Sequence, residues 1–297
     1  MNQDALPRIP LGQWVSDGID WLTDNASWAF KAFSTVMSTS IEGFSEFLIS
    51  VPGLVLLVFL ALVGWFFRSP KFALGSALSF LLVMSMRQWD TMLQTMSLVL
   101  VATISATILA IPLGIWAAKS DTVSAIVRPI MDFMQTMPAF VYLIPAVMFF
   151  SIGVVPGIFS TIIFALPPGV RMTELGIRQV DAETVEAGQS YGATSGQILR
   201  GIQLPLAVPT ILAGINQVIM LSLSMAVIAG MVGADGLGKE VVSAISTLSI
   251  DKGVEAGLGV VILAIYLDRI TASLGELKSY PQSLLNLLRR KKQPQHA

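Results

Sequence analysis

The stretch that decides the fold reads EAGQSYG at residues 186–192 and, after nine further residues, IQLP at residues 202–205. It belongs to a longer segment, residues 171–204, that is rich in charged and small residues and lies between two long apolar runs. Charged groups are costly inside a bilayer. The segment is therefore predicted to be a folded, water-facing element at a membrane surface.

The composition of the whole chain is typical of an integral membrane protein. Of its 297 residues, 54% are hydrophobic and 12% charged, and the mean hydropathy is +0.73. The net charge of -1 provides no basic surface for nucleic acid. Cysteine is absent, which excludes thiol chemistry and disulfides, and the single histidine, His296, lies in a polar tail. Redox catalysis, a zinc site and histidine acid–base catalysis are therefore not expected.

Seven apolar runs approach the roughly 20 residues that a helix needs to cross a bilayer. The second and seventh are short and are expected to extend into flanking residues such as Pro70 and Thr271. The third contains Pro112, which is expected to kink the helix or mark its end. The predicted spans are residues 51–67, 72–86, 92–118, 133–151, 154–170, 206–232 and 256–267.

The distribution of basic residues predicts the orientation, because cytoplasmic loops retain an excess of Lys and Arg. With seven spans and the N-terminus outside, five of the 18 basic residues lie outside and the other thirteen inside. The cytoplasmic side then holds the polar segment and the basic tail at residues 289–292. The five outside are Arg8, Lys31, Arg87, Lys239 and Lys252.

The first fifty residues form a separate amphipathic element. Trp14, Trp21 and Trp28 recur every seven residues, and indole rings favour the headgroup region. An apolar stripe follows at helical spacing, which predicts a helix lying on the outer membrane face or packed against the spans as scaffold. The stripe consists of Phe30, Phe33, Met37, Ile41, Phe44 and Leu48.

Local signals predict two short helices within the polar segment. Asp181 can cap the first, and Gly192 is suited to the left-handed turn that ends it. Thr194 and Gln197 match a capping box at the start of the second helix. Pro205 is expected to set a break before the sixth span. The predicted result is a compact knob that can fit a groove on a partner.

The spacing EA-x4-G-x9-I-x-LP resembles the coupling loop of permease subunits in ABC importers, which docks on the cytoplasmic ATPase that drives transport. The alternative is an ordinary amphipathic loop between spans. By this resemblance, residues 171–205 are the coupling loop. The resemblance implies a role in ATPase coupling for six residues, the first three docking and the last three bracing them: Glu186, Ala187, Gly192, Ile202, Leu204 and Pro205.

Two further motifs, QTMPAFVYLIP at residues 135–145 and LPPGVR at residues 166–171, resemble permeases of the glycine betaine, proline betaine and choline uptake family. This resemblance covers roughly residues 90–270. It implies a type I importer permease with a core of five helices, placed at residues 91–275. Together with the seven apolar runs, this predicts an all-α membrane protein of about seven transmembrane helices. Residues 1–50 would be an extracytoplasmic segment, residues 51–90 two peripheral helices and residues 276–297 a cytoplasmic basic tail.

The same resemblance implies the partners and the location. The chain would work in the bacterial cytoplasmic membrane, in contact with lipid, as one of two permease copies, most simply a homodimer. An extracytoplasmic binding protein would deliver glycine betaine, proline betaine, choline or carnitine. ATP and Mg would bind the partner ATPase dimer, and this chain would bind no cofactor, metal or nucleic acid.

Polar residues in or near the fourth and sixth spans are candidates for the translocation path. The predicted path residues are Gln135, Thr136, Tyr142 and Asn216, and the same regions also contain Gln217, Ser222 and Ser224. Uncharged polar and aromatic surfaces would tolerate a quaternary ammonium group. The alternative is that these side chains form hydrogen bonds between helices.

Two other classes compete with an ABC permease. An ion-coupled secondary transporter usually keeps ionisable residues at mid-membrane, and the seven predicted spans contain none. A membrane enzyme would need reactive side chains that the composition does not supply. Residues 233–240 have the G-x4-G-K spacing of a phosphate-binding loop, but Glu240 stands where Ser or Thr must reach magnesium. A turn between spans is expected there, and no nucleotide site.

Overall fold

The computed structural model of the chain describes residues 10–275 and 280–291, and every regular element in these ranges is helical. The predictions for Arg8, Lys278, Lys292 and His296 lie outside these residues. Short 3₁₀ turns occupy Ala139–Tyr142 and Gly230–Val232. The helices are α1 Leu11–Asn25, α2 Ser27–Ser50, α3 Gly53–Phe67, α4 Pro70–Ser85, α5 Trp89–Lys119, α6 Asp121–Thr136, α7 Leu143–Phe150, α8 Val154–Arg178, α9 Ala182–Ser190, α10 Ser195–Ile198, α11 Leu204–Ala229, α12 Leu237–Thr247, α13 Ile250–Gly275 and α14 Leu284–Lys291.

Four continuous helical stretches in the described residues are long and apolar enough to cross a membrane. They are Trp89–Lys119, Val154–Arg178, Ser195–Val232 and Ile250–Gly275. Two bent pairs raise the number to six if each counts as one span: α2 with α3, bent by 106°, and α6 with the 139–150 segment, bent by 107°. Helix α4 is apolar but shorter.

Helix α8 lies at the centre, between α5 and α11. Close approach is possible because glycines stand at the crossings: a Cβ atom at Gly114 of α5 would lie 2.6 Å from Cβ of Thr173. On the other side of α8, a Cβ atom at Gly214 of α11 would lie 2.6 Å from Cβ of Met172. Small residues allow helix backbones to pack closely where lipid provides no hydrophobic drive for association. Glycines at these crossings therefore allow α5 and α11 to pack closely against α8.

The outer helices pack around this core through aromatic side chains. The Tyr266 hydroxyl of α13 donates to the Leu60 carbonyl of α3 at 2.7 Å. Phe30 of α2 stacks on Phe149 of α7, with ring centroids 4.5 Å apart. From the predicted N-terminal stripe, Ile41 and Leu48 are buried in the bundle, whereas Trp14, Trp21 and Trp28 are exposed.

One predicted span is wrong as a continuous helix. The run at residues 133–151 is divided between α6 and α7, because Met137 precedes Pro138 and adopts the extended conformation (φ -71°, ψ 133°) that a following proline favours. By contrast, α5 continues through Pro112. The two short spans extend as expected: α4 begins at Pro70, and α13 continues past Thr271.

Two of the observed helices are longer than the predicted spans, and the additional residues include charged side chains. Helix α8 continues to Arg178 and includes Glu174, and α13 includes Asp268 and Arg269. The absence of charged residues from the seven predicted spans was therefore a consequence of their short bounds. Both acidic side chains accept hydrogen bonds from a neighbouring helix, Glu174 from α6 and Asp268 from α11.

Candidate coupling site and translocation path

The first helix of the polar segment is set by adjacent residues, as predicted. Asp181 caps α9, and its carboxylate accepts the Glu183 N–H at 3.2 Å. At the other end, the Ala193 N–H donates to the Gly188 carbonyl at 3.1 Å and the Gly192 N–H to the Gln189 carbonyl at 2.8 Å. This is a Schellman ending, and Gly192 takes its left-handed position with φ of 80°. The glycine elbow is confirmed.

The second short helix also begins as predicted, with a complete capping box between Thr194 and Gln197. The predicted break at Pro205 is wrong. A π-helical turn, Leu199–Gln203, leads directly into α11, and the Leu204 N–H donates to the Leu199 carbonyl five residues earlier. The wide turn absorbs the proline at the first turn of α11, where no donor is needed. The knob, defined here as residues 181–205, thus runs into α11 without a break in the helical backbone.

The base of the knob is packed and its tip is free. Ile198 is buried, and a Cβ atom at Gly188 would lie 2.8 Å from Cδ1 of Ile202, so α9 rests on the π turn. The Lys119 ammonium at the end of α5 donates to the Gln203 side chain at 3.0 Å. Of the predicted docking residues, Ile202 and Leu204 are half-buried, whereas Glu186, Ala187, Gly192 and Pro205 are exposed.

Sequence reasoning missed one exposed residue on this tip. Tyr191 follows the last residue of α9, and its side chain is 92% exposed. Aromatic side chains are enriched at the anchoring points of protein interfaces. The signal was present in the sequence, because Tyr191 directly precedes the glycine elbow within the polar segment.

An ion cluster centred on one buried carboxylate, below the knob, was also missed. We call it the base cluster: Ser124 and Arg128 of α6 with Glu174 and Arg178 of α8. The buried Glu174 carboxylate accepts from Ser124 at 2.7 Å and from Arg128 at 2.9 Å, and it forms an ion pair with Arg178 at 3.0 Å. Arg178 also pairs with Asp121 at 2.8 Å and donates to the Ala117 carbonyl at 2.9 Å. The i, i+4 pair of Glu174 and Arg178 was the only sequence signal.

The four candidate path residues do not share one surface. Gln135 and Thr136 are exposed at the end of α6. Tyr142 is buried, donates to the Met134 carbonyl and belongs to the apolar cluster of Met225 in α11. Asn216 precedes Met225 by nine residues, about 14 Å along the axis.

Asn216 instead faces α13. Its amide donates to the Asp268 carboxylate at 3.0 Å, and its carbonyl oxygen accepts from the Thr271 hydroxyl. Asn216 therefore forms hydrogen bonds between helices, which was the alternative to a place on the translocation path. Its neighbour Gln217 is exposed.

The glycine-rich segment after α11 forms the expected turn. Gly233 and Gly236 have φ of 92° and 117°, and α12 begins directly afterwards at Leu237. The Lys239 ammonium donates to the Asp235 carboxylate at 2.7 Å, and this contact raises the pKa of Lys239. The positive charge of Lys239 is thus paired with a carboxylate of the same turn.

These features together define a class of protein. The chain is an all-helical membrane bundle that carries an exposed helical knob, continuous with one long span and tied to two others at its base. The chain belongs to the family of binding-protein-dependent transport system inner membrane components, whose family model matches residues 110–275. That range contains the base cluster, the knob, α11 and α13.

Three permease proteins are similar in sequence to this chain over most of its length. It is 49% identical over 271 residues to the glycine betaine transport system permease protein OpuAB of Bacillus subtilis, covering 91% of this chain and 96% of that protein. Identity is 46% over 274 residues to the glycine betaine/carnitine transport permease protein GbuB of Listeria monocytogenes, covering 90% and 95%. With the glycine betaine/proline betaine permease ProW of Escherichia coli it is 43% over 267 residues, covering 90% and 75%.

A solved structure supports the fold. An inward-facing form of the MetNI methionine ABC transporter matches with a TM-score of 0.56 and 20% identity, covering 65% of this chain and 95% of that chain. The shared part is an ABC importer permease fold, and the remainder of this chain is additional to it.

Proposed function

We propose that this chain is the permease subunit of an ATP-driven importer for small quaternary-ammonium solutes: glycine betaine, proline betaine, choline or carnitine. The observation that carries the proposal is 49% identity, along 91% of the chain, to a glycine betaine permease. Motifs at residues 135–145 and 166–171 support the same substrate class. The chain itself hydrolyses no ATP in this proposal.

Coupling would run through the knob. Glu186, Ala187 and Gly192 are exposed and would enter a groove on a cytoplasmic ATPase, with ATP and Mg bound there. Ile202 and Leu204 brace them from below, because Ile202 packs against Gly188. A load applied to the knob would reach α11 without a hinge, since the π turn joins them directly.

The proposed topology has seven spans, an external N-terminus and a cytoplasmic basic tail. Residues 1–50 would lie outside the cytoplasm, residues 51–90 would form two peripheral spans, and residues 91–275 the core. Support comes from the thirteen basic residues that this topology places inside. Single cysteines at Ser16 and Gln293 of this cysteine-free chain should react from opposite faces of the membrane, and labelling from one face only contradicts the topology.

The permease should hold its solute weakly. In the C-terminal half of α13, the Asp268 carboxylate accepts from the Asn216 amide on one oxygen and pairs with Arg269 through the other at 3.7 Å, so it is no free counter-ion. Selection would belong to an extracytoplasmic binding protein, where aromatic rings can supply about 0.5–2 kcal/mol per cation–π contact. The detergent-solubilised permease should therefore bind no glycine betaine at micromolar concentration, which would need roughly -8 kcal/mol.

Reconstitution tests the function directly. Two copies of the permease, the ATPase and the binding protein, placed in liposomes, should take up glycine betaine only with ATP, and the loaded binding protein should stimulate hydrolysis. Liposomes without ATP but with a sodium or proton gradient are the matched control. Uptake in that control would replace the proposal with a secondary transporter.

A further inference from the structure

A cavity of about 210 Å³ lies at the end of the bundle opposite the knob. Its wall is formed by α2, by Gln94 and Leu98 of α5, by Val154 at the start of α8 and by Asp235 in the glycine-rich turn. The knob runs into the first residue of α11 and the turn follows its end, so 26 residues, about 39 Å of helix, separate them. With the knob in the cytoplasm, the cavity opens on the outer side of the membrane.

The glycine-rich turn is held against α5 next to Gln94. The Leu237 N–H donates to the Thr95 hydroxyl at 2.8 Å, and a Cβ atom at Gly236 would lie 2.5 Å from that oxygen. The φ of 117° at Gly236 also favours glycine. Asp235 is thereby fixed at the cavity wall beside α5.

The opposite wall carries two carboxylates that have no partner. Glu42 and Glu46 of α2 line the cavity and form no hydrogen bond or ion pair with any residue that the structure describes. They are one helical turn apart, and like charges at that spacing repel each other. Asp235 adds a third carboxylate, which accepts from the Lys239 ammonium at 2.7 Å. Three carboxylates against this single ammonium favour a cationic ligand.

A buried hydroxyl between the two free carboxylates is independent evidence of a ligand. Ser45 lies on the same face of α2 as Glu42 and Glu46, and it is only 8% exposed. It lines the cavity and makes no hydrogen bond with any described residue, so its short side chain leaves the hydroxyl open to this space. The Gln94 amide across the cavity has no partner among these residues either. Buried polar groups normally have partners, and a ligand with hydrogen-bond donors would supply them.

We propose that this cavity binds the primary ammonium group of an ethanolamine phospholipid. A primary ammonium carries the missing positive charge and donates three hydrogen bonds, which the Glu42 and Glu46 carboxylates and the Ser45 oxygen accept. Lys239, beside Asp235, is then available to the phosphate of the same headgroup. Within the described residues no three His, Cys, Asp or Glu side chains are grouped closely enough to hold a metal ion. An organic cation therefore fits the site better than a metal ion does.

The surroundings favour a lipid over a lysine of a partner protein. Ile41 and Leu98 form a buried apolar floor beneath the polar groups. At and beyond the rim the chain exposes aliphatic side chains, with Ile49 39%, Leu54 62% and Val55 58% exposed. An amphiphile provides an ammonium for the cavity and acyl chains for this apolar surface. Only the assignment to the outer leaflet rests on the proposed function.

Native mass spectrometry of the full-length chain in detergent tests the site with phospholipids of identical acyl chains. Phosphatidylethanolamine should bind at least about fivefold more tightly than phosphatidylcholine, whose trimethylammonium group keeps the charge but donates no N–H hydrogen bond. The double variant Glu42→Gln with Glu46→Gln should weaken phosphatidylethanolamine binding at least about fivefold, because it removes the charge from both acceptors. Ser45→Ala removes no hydrogen bond within the described structure and should weaken the binding as well.

The matched control is Asp20→Asn with Asp24→Asn. It removes two exposed carboxylates at the same four-residue spacing, on α1 and away from the cavity, and should leave lipid binding unchanged. Equal binding of the two lipids by the parent chain, or equal losses in the two double variants, overturns the ammonium site.

Two further measurements identify the source of the ammonium group. Free phosphoethanolamine should compete poorly, and competition as strong as that of the lipid overturns the lipid assignment. Purified binding protein should bind the Glu42→Gln, Glu46→Gln variant as it binds the parent. If that variant loses the binding protein and keeps the lipid, the occupant is a cation of the partner and the proposal fails. None of these measurements uses transport, so absence of ATP-driven uptake would contradict the proposed function alone.

Discussion

The knob and the base cluster lie next to each other but are built in opposite ways. Every cap and turn in the knob joins residues within six positions of each other, and its tip is exposed. The base cluster joins Glu174 to Ser124 and Arg128, 50 and 46 residues away, in a buried site. The caps and the glycine elbow of the knob are therefore set by local contacts, and its exposed tip remains accessible to a partner. The contacts of the base cluster hold α6 against α8 and so contribute to the stability of the bundle. Substitutions in the base cluster should lower the stability of the bundle, whereas substitutions in the knob should impair coupling to the ATPase.

The largest loss of stability is expected for Glu174→Ala. The substitution removes the carboxylate that pairs with Arg128 and Arg178, leaving Arg178 with Asp121 alone, and breaking a buried pair costs about 3–5 kcal/mol. Arg128 is 59% exposed and can rehydrate, so the lower end, about 3 kcal/mol, is expected. Thermal unfolding in detergent measures it. Glu183→Ala, in the exposed first turn of α9, is the control and should change stability by less than about 0.5 kcal/mol. Equal behaviour of the two variants would show that the base cluster contributes nothing.

Gly192→Val should strain the knob while leaving the bundle intact. A β-branched residue at φ of 80° costs about 1–3 kcal/mol, and the cost can be relieved by distorting the elbow alone. We expect normal membrane insertion, a nearly unchanged unfolding temperature, and loss of co-purifying ATPase or of uptake. Gly196→Val is the matched control, because Gly196 has no positive φ and no atom within 4 Å of an added Cβ. Persistence of assembly and transport in Gly192→Val would mean that the elbow is not the docking element.

Substitutions of two adjacent residues of α11 should have smaller effects, one on stability and the other on uptake. Asn216→Leu removes the hydrogen bonds to Asp268 and Thr271, and such interhelical bonds in membranes contribute about 0.6–1.7 kcal/mol. Gln217→Leu removes no hydrogen bond in the described structure and should leave stability unchanged, but it should reduce uptake. Unfolding temperature and transport, measured on both variants, should respond in opposite order. A loss of stability in Gln217→Leu alone would reverse the roles assigned here.

The same contrast explains which parts of the molecule could be predicted from sequence. Asp181, Gly192 and the Thr194–Gln197 box act on neighbouring backbone groups, so their local pattern was sufficient. Pro205 was misjudged because the π turn before it depends on packing in the folded bundle. Asn216 was assigned to the path because polarity alone does not tell which face of a helix meets a neighbour. The partners of Glu174 lie on α6, and pairing across such a distance has no local signature.

Tyr191→Ala should have the smallest effect on the fold and still a measurable one on assembly. The side chain is 92% exposed, so its removal should change the unfolding free energy by less than about 0.5 kcal/mol. If the knob docks on the ATPase, Tyr191 would be buried there beside the glycine elbow, and tyrosine is enriched among residues that dominate interface energies. Its loss should weaken ATPase binding by about tenfold or more, equivalent to about 1.4 kcal/mol, as measured by titrating purified ATPase onto the permease. Tyr191→Phe keeps the ring and should retain most of the affinity. Unchanged affinity in Tyr191→Ala would place the ATPase contact on the Glu186 side of α9 and leave the exposed ring without a part in docking.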